Sequence, residues 1–114
     1  MNIEANSATV SLQTLLQDFK RLADANDWHP KHSPKNLAMA ISVEASELVE
    51  IFQWLSENKS KQLNAAQLQH ASHEIADVFL YLLCLADSLN IDLLRAAKAK
   101  MQVNWQRHLN RQAD

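Results

Sequence analysis

Two pairs of carboxylates, Glu44 with Glu47 and Glu74 with Asp77, are the residues of this sequence whose type and spacing best suit chemistry. Residues three apart on a helix share a face, so each pair presents its acids side by side. Around the stretch NLAMAISVEASELVEIFQW, from Asn36 to Trp54, helical periodicity gathers Leu37, Ile41, Leu48, Ile51, Phe52 and Leu55 into one apolar arc. Glu44 falls inside that arc and Glu47 on its edge, whereas Glu50 and Glu57 point away. A carboxylate buried there is costly unless something positive meets it, either a basic side chain such as Lys35, Lys98 or Lys100, or a metal ion. If the helices bearing the two pairs pack antiparallel, four oxygen ligands converge. Such a set has no Cys and needs no His, so it suits Mg²⁺, or Mn²⁺ in its place, rather than Zn²⁺. Nor does it contain the Glu-x-x-His pairs of di-iron bundles. A carboxylate-held Mg²⁺ with open water positions grips a triphosphate and activates water for attack on phosphorus, so the indicated class is phosphate chemistry. A single ExxE marks a solvated helix face as a rule; two pairs, each bordering an apolar arc, argue for a shared site.

The elements that must carry these acids are all helical. Leu12, Leu15, Leu16, Phe19 and Leu22 predict a first helix over about Thr9 to Asp27, ending near Asn26. The run WHPKHSP then forbids continuation, and Ser33 followed by Pro34 caps a second helix that reaches about Leu55. The polar stretch SENKSKQLN reads as a short loop between antiparallel neighbours. Asn64 with Gln67 forms a capping pair for a third helix, expected to run to Leu89 and stop at Asn90. Centred on Ile75, its core arc takes in Leu68, Val78, Phe79, Leu82, Ala86 and Leu89, with His70, Glu74, Asp77 and Tyr81 as a strip beside it. Asp92 caps a fourth helix, in which Leu94, Met101 and Trp105 make an apolar seam and Lys100, Asn104 and Arg107 a polar strip.

Composition bounds the rest. One hundred and fourteen residues suit a single domain, 1–114 with its core over about 9–110, and a bundle this small and this rich in Leu and Ile should bury part of its surface against a copy of itself. The chain contains no glycine, which removes Gly-rich phosphate loops and makes turns with positive φ unexpected. A net charge of −2 offers no basic footprint for a nucleic-acid polymer. Cys84 has no partner for an intrachain disulfide, the N-terminus lacks a signal-peptide pattern, and no apolar run reaches the roughly 18 residues of a membrane span. Together these point to a cytoplasmic protein. Trp28, His29 and His32, in the proline-bearing loop, have the ring chemistry to stack on a base, and His70 and His73 read as surface residues.

The combination Trp28…His32-Ser-Pro34-Lys35-Asn36-Leu37, Glu44-x-x-Glu47-Leu48-x-Glu50-Ile51-Phe52-Gln53-Trp54, Glu74-Ile-Ala-Asp77-Val78-x-x-Tyr81 and Lys100-x-x-x-Asn104 resembles the MazG-like all-α nucleoside triphosphate pyrophosphohydrolases, the dCTP pyrophosphatase branch above all. The resemblance spans about Phe19 to Asn104. It implies a four-helix-bundle-type domain, a homodimer or homotetramer, that hydrolyses a (deoxy)nucleoside triphosphate to monophosphate and pyrophosphate as a house-cleaning enzyme. It further implies Glu44, Glu47, Glu74 and Asp77 as catalytic Mg²⁺ ligands, and His32, Asn36, Trp54, Tyr81, Lys100 and Asn104 as substrate-binding residues. The competing reading is a non-catalytic helical interaction module whose acidic strips pair with basic residues.

Overall fold

Ser11 begins the first helix: its hydroxyl oxygen accepts the Thr14 backbone N–H at 3.1 Å, while Thr14 Oγ1 accepts the Ser11 N–H at 2.9 Å. This reciprocal cap opens α1, Leu12–Ala25, inside the wider span that periodicity predicts. The structure, a computed structural model, describes residues 10–28 and 32–113. The expected start at Thr9 and the loop residue His29 therefore lie outside the described residues.

Ser33 caps α2, Pro34–Phe52, by accepting the Asn36 N–H at 3.2 Å, with Pro34 at the first helical position as anticipated. This helix ends before Trp54, which sits in the following turn. The stretch read as a loop contains one further helical turn, α3, Glu57–Ser60, because Ser56 accepts the Lys59 N–H at 3.2 Å and starts a helix that the sequence soon abandons. Asn64 and Gln67 form the foreseen capping box for α4, Ala65–Ser88. Asp92 accepts the Arg95 N–H at 3.1 Å and opens α5, Leu93–Ala113. The described residues are helices and turns without a strand, and no helix among them is long and apolar enough to cross a membrane.

Contrary to the expectation from the absence of glycine, two of the described residues take positive φ: Asp27 at 54° and Asn90 at 56°. Each terminates a helix. Trp28 N–H reaches back to Ala23 C=O at 2.9 Å and Asp27 N–H to Asp24 C=O at 3.2 Å; Ile91 N–H reaches Ala86 C=O at 2.8 Å and Asn90 N–H Asp87 C=O at 3.0 Å. These are Schellman caps, with Asp and Asn in the left-handed position that their short polar side chains tolerate best after glycine.

Helix α2 packs along α4, and α1 packs across α4. Glu44 and Glu74 are equidistant in sequence from Lys59 in the connection, as antiparallel neighbours require. The buried residues are small where helices meet: Ala23, Ala71 and Ala86 together with Leu37, Leu83 and Cys84. A Lys20–Asp87 ion pair at 2.8 Å ties α1 to α4; at the half-exposed surface such a pair is worth about 0–1 kcal/mol. The apolar arc of α2 is covered as predicted, but the arc centred on Ile75 is not the buried face of α4. Ile75, Leu68, Leu82 and Leu89 are exposed; of that arc Ala86 is buried, and Ala71, Leu83 and Cys84 are the other residues that α4 buries. Along α5, every residue but Leu93 is exposed, so the expected seam of Leu94, Met101 and Trp105 lies bare on the chain taken alone. The chain is extended, with a radius of gyration of 17.6 Å against about 13 Å for a compact domain of this length, and the uncovered α5 contributes to that shape.

Candidate active site

Where α2 and α4 run side by side, Glu44, Glu74 and Asp77 each bring a carboxylate oxygen within 4.8 Å of the others. Glu47, one turn along α2, lies in hydrogen-bonding reach of both Glu44 and Glu74. All four acids singled out in the sequence thus meet in one place. They sit there because Leu37, Leu48 and Phe52 hold that face of α2 against its neighbour, and an arc position cannot turn away without unpacking them.

The electrostatics follow from crowding. Burial, then the charges of Glu47 and Asp77, push the Glu44 carboxyl up to about 7. Glu74 is raised for the same first reason, with Glu47 and Asp77 adding to it and His70 opposing. His70 Nε2 stands 3.5 Å from Glu74 Oε1 on an exposed side chain, so it is a surface residue that still touches the cluster. Tyr81, one turn beyond Asp77, has its hydroxyl raised by burial and by the charges of Glu44 and Asp77, which places it beside the acids.

Glu44 Oε2 and Glu74 Oε2 are buried and accept no hydrogen bond from the described residues. A buried carboxylate oxygen without a donor is expensive, and two of them together call for a shared cation. Among the described residues no lysine or arginine, Lys35, Lys98 and Lys100 included, makes an ion pair with the cluster. The donor set, three or four carboxylates without sulfur, fits a hard divalent ion.

A ring cluster borders the acids. His32, after α1, lies 5.9 Å from Trp28 and 6.3 Å from Tyr81, centroid to centroid, and Phe19 of α1 lies 5.9 Å from His32 and 5.5 Å from Tyr81. Trp28 is set by the α1 Schellman cap. Phe19 is the member that sequence reasoning did not connect with the site, since its spacing on α1 says only that it faces the core. The remaining candidates are placed less centrally. Asn36 is exposed in the first turn of α2, and Trp54 is 87% exposed in the turn after that helix. Lys100 and Asn104 are carried on the uncovered α5, where Asn104 joins Met101, Trp105 and His108 around a hollow of about 260 Å³.

The MazG-like family model matches residues 39–114. The dCTP pyrophosphatase 1 of Rattus norvegicus is 36% identical over 116 residues, covering 94% of this chain and 68% of the relative, and that of Homo sapiens is 34% identical over 104 residues, covering 86% and 61%. The chain thus spans about two thirds of the length of these relatives. A pyrophosphatase from Archaeoglobus fulgidus, known from its crystal structure, superposes with a TM-score of 0.77 at 38% identity, covering 83% of this chain and 89% of that one. The family match begins in α2 and takes in Glu44, Glu47, Glu74 and Asp77, and with relatives 34–36% identical over most of the chain it shows that the chain belongs to the MazG-like family.

Proposed function

We propose that this protein is a nucleoside triphosphate pyrophosphohydrolase that cleaves dCTP or a related or base-modified deoxynucleotide to the monophosphate and pyrophosphate in a Mg²⁺-dependent reaction. The observation that carries the reading is the pair of buried oxygens, Glu44 Oε2 and Glu74 Oε2, that accept no hydrogen bond from the described residues, inside an acidic cluster that no described lysine or arginine pairs with. The names of the similar proteins support it. Their substrate is the starting point for this chain's substrate class.

Glu44, Glu74 and Asp77, with Glu47 beside them, would hold Mg²⁺, with Mn²⁺ as a substitute. Bound there, the ion supplies charge neutralisation of the triphosphate and acidification of water. The chain's own residues do the remainder. Glu47, facing Glu44 and Glu74, is placed to orient the attacking water and take its proton. His32, Tyr81 and Trp54 offer ring faces and a hydroxyl to the nucleoside, Asn36 a neutral donor, and Lys100 and Asn104 a charge and an amide for the phosphates. The last two stand on α5, whose apolar side is uncovered; a second copy packed along it would bury Met101, Trp105 and Leu109, so the functional unit is a homodimer or a pair of dimers, housed in the cytoplasm.

The test is a nucleotide panel assayed for products. Monophosphate and pyrophosphate should appear together from at least one deoxynucleoside triphosphate, only with Mg²⁺ or Mn²⁺. Stepwise release of single phosphates, or full activity in excess chelator, would refute the assignment.

A further inference from the structure

Phe19 stands where three elements meet. Its ring lies 5.9 Å from His32 in a tilted contact of 30°, and 5.5 Å from Tyr81 edge-on at 72°; His32 and Tyr81 are themselves 6.3 Å apart at 72°. The three rings therefore close a triangle whose corners belong to α1, to the loop before α2, and to α4. The Tyr81 corner adjoins the acids, since Tyr81 follows Asp77 by one turn of α4.

The surroundings of Phe19 are open on both sides. With Ala23, His32, Leu37 and Cys84 it lines a hollow of about 160 Å³, and with Leu15, Leu22 and Leu80 another of about 180 Å³. Its ring is the partition between the two. Trp28, at 5.9 Å, also contacts the His32 ring, so a smaller side chain at Phe19 would remove one of the contacts that hold the imidazole and open space beside it. The edge-on geometry with Tyr81 has the opposite requirement, for it exists only while an aromatic ring is present.

We propose that Phe19 is a positioning residue of the nucleotide pocket: held on α1, its ring fixes His32 of the loop against Tyr81 of α4, so that the two present one preformed face to the substrate. The inference rests on the pyrophosphohydrolase reading above and adds a residue to it. Phe19 acts through His32 and Tyr81 and does not reach the acids, so its loss is felt in substrate affinity and leaves turnover nearly alone. A preformed face binds more tightly than one that must be ordered on binding, because the ordering cost is met during folding.

The experiment compares Phe19→Leu, Phe19→Tyr, His32→Ala and the Phe19→Leu/His32→Ala double variant. For each, kcat and KM are measured on the preferred deoxynucleotide, the affinity for a non-hydrolysable triphosphate analogue is measured by calorimetry in Mg²⁺, and folding is checked by circular dichroism melting. Phe19→Leu should raise KM and weaken analogue binding about tenfold, with kcat within about twofold of wild type. Phe19→Tyr, which keeps the ring, should restore both. On the His32→Ala background, Phe19→Leu should add less than about twofold, since the residue it acts through is gone. If Phe19→Leu does not fold, Phe19→Met, of similar volume and without a ring, takes its place in every arm. Wild-type KM in a folded Phe19→Leu protein overturns the proposal, as does an equal loss with and without His32, which would make Phe19 ordinary packing. A wild-type protein that releases pyrophosphate from no nucleotide in the panel overturns the underlying reading, and this proposal with it.

Discussion

Replacing Glu44 by Gln removes one charge from the crowded cluster while keeping the side chain's size, and its effect on stability has a definite sign. An acid whose carboxyl is raised from 4.5 to about 7 binds protons more tightly folded than unfolded. The folded state therefore carries no penalty from this group below pH 4.5, an increasing one as pH rises toward 7, and the whole of it above 7. Taken at face value the shift corresponds to about 3 kcal/mol, and solvent reaching the partly exposed cluster reduces this to about 1–2 kcal/mol. In excess chelator at pH 8, Glu44→Gln should accordingly melt about 4–10 °C above wild type at equal protein concentration. At pH 5 the two should nearly coincide. Adding Mn²⁺ reverses the order, because wild type has a complete ligand set and gains about 2.7 kcal/mol at a hundredfold excess over Kd, which the variant does not match. Differential scanning calorimetry at the two pH values, with and without metal, reads all four numbers. A variant less stable than wild type at pH 8 without metal would mean that a cation within the protein already pairs Glu44, and the argument from partnerless oxygens would fail.

The other predictions address turnover and the pocket. Glu47→Gln should lower kcat by about a hundredfold or more while leaving the circular dichroism spectrum unchanged, as expected of a residue that takes the water's proton. Trp54→Ala, after size-exclusion chromatography confirms the wild-type oligomer, should raise KM for the preferred base by an amount corresponding to about 1–3 kcal/mol of lost stacking; unchanged KM for every nucleotide would make Trp54 an interface residue. Lys100→Ala should lower kcat/KM about equally across the panel and leave the rank order of bases intact, because a phosphate contact is blind to the base.

Much of this was legible from spacing. The caps at Ser33-Pro34, Asn64/Gln67 and Asp92 bound their helices because each provides a local hydrogen bond that needs nothing from the rest of the fold. The acids were legible for a different reason: Glu44 interrupts an arc that is otherwise apolar, and the conflict between position and charge is itself the signal. What escaped was decided by packing. Periodicity weights Ile75 and Leu82 above alanine, yet close helix contact buries Ala71 and Ala86 and leaves those larger residues exposed. The two positive-φ positions were masked by the missing glycines, although an Asn-Asp pair after α1 and an Asn after α4 carried the cue. Phe19 was hidden because its two ring partners lie on other elements, one of them in a loop.

The proposed site divides its tasks by the rigidity of the elements that carry them. The acids stand at the middle of α2 and α4, where the packing is tightest and carboxylates that repel one another can be held at fixed separation. The rings proposed to face the nucleoside, His32 and Tyr81, lie on the loop and α4, and Phe19 of α1 touches both. Lys100 and Asn104 are on α5, which the rest of the chain leaves uncovered. On this arrangement a substitution in the rings alters which nucleotide binds, one in the acids alters whether it is cleaved, and the phosphate contacts depend on what holds α5 in place. A partner that buried Met101 and Trp105 would also order the helix that carries Lys100 and Asn104, and the uncovered apolar side of α5 would then link assembly to catalysis.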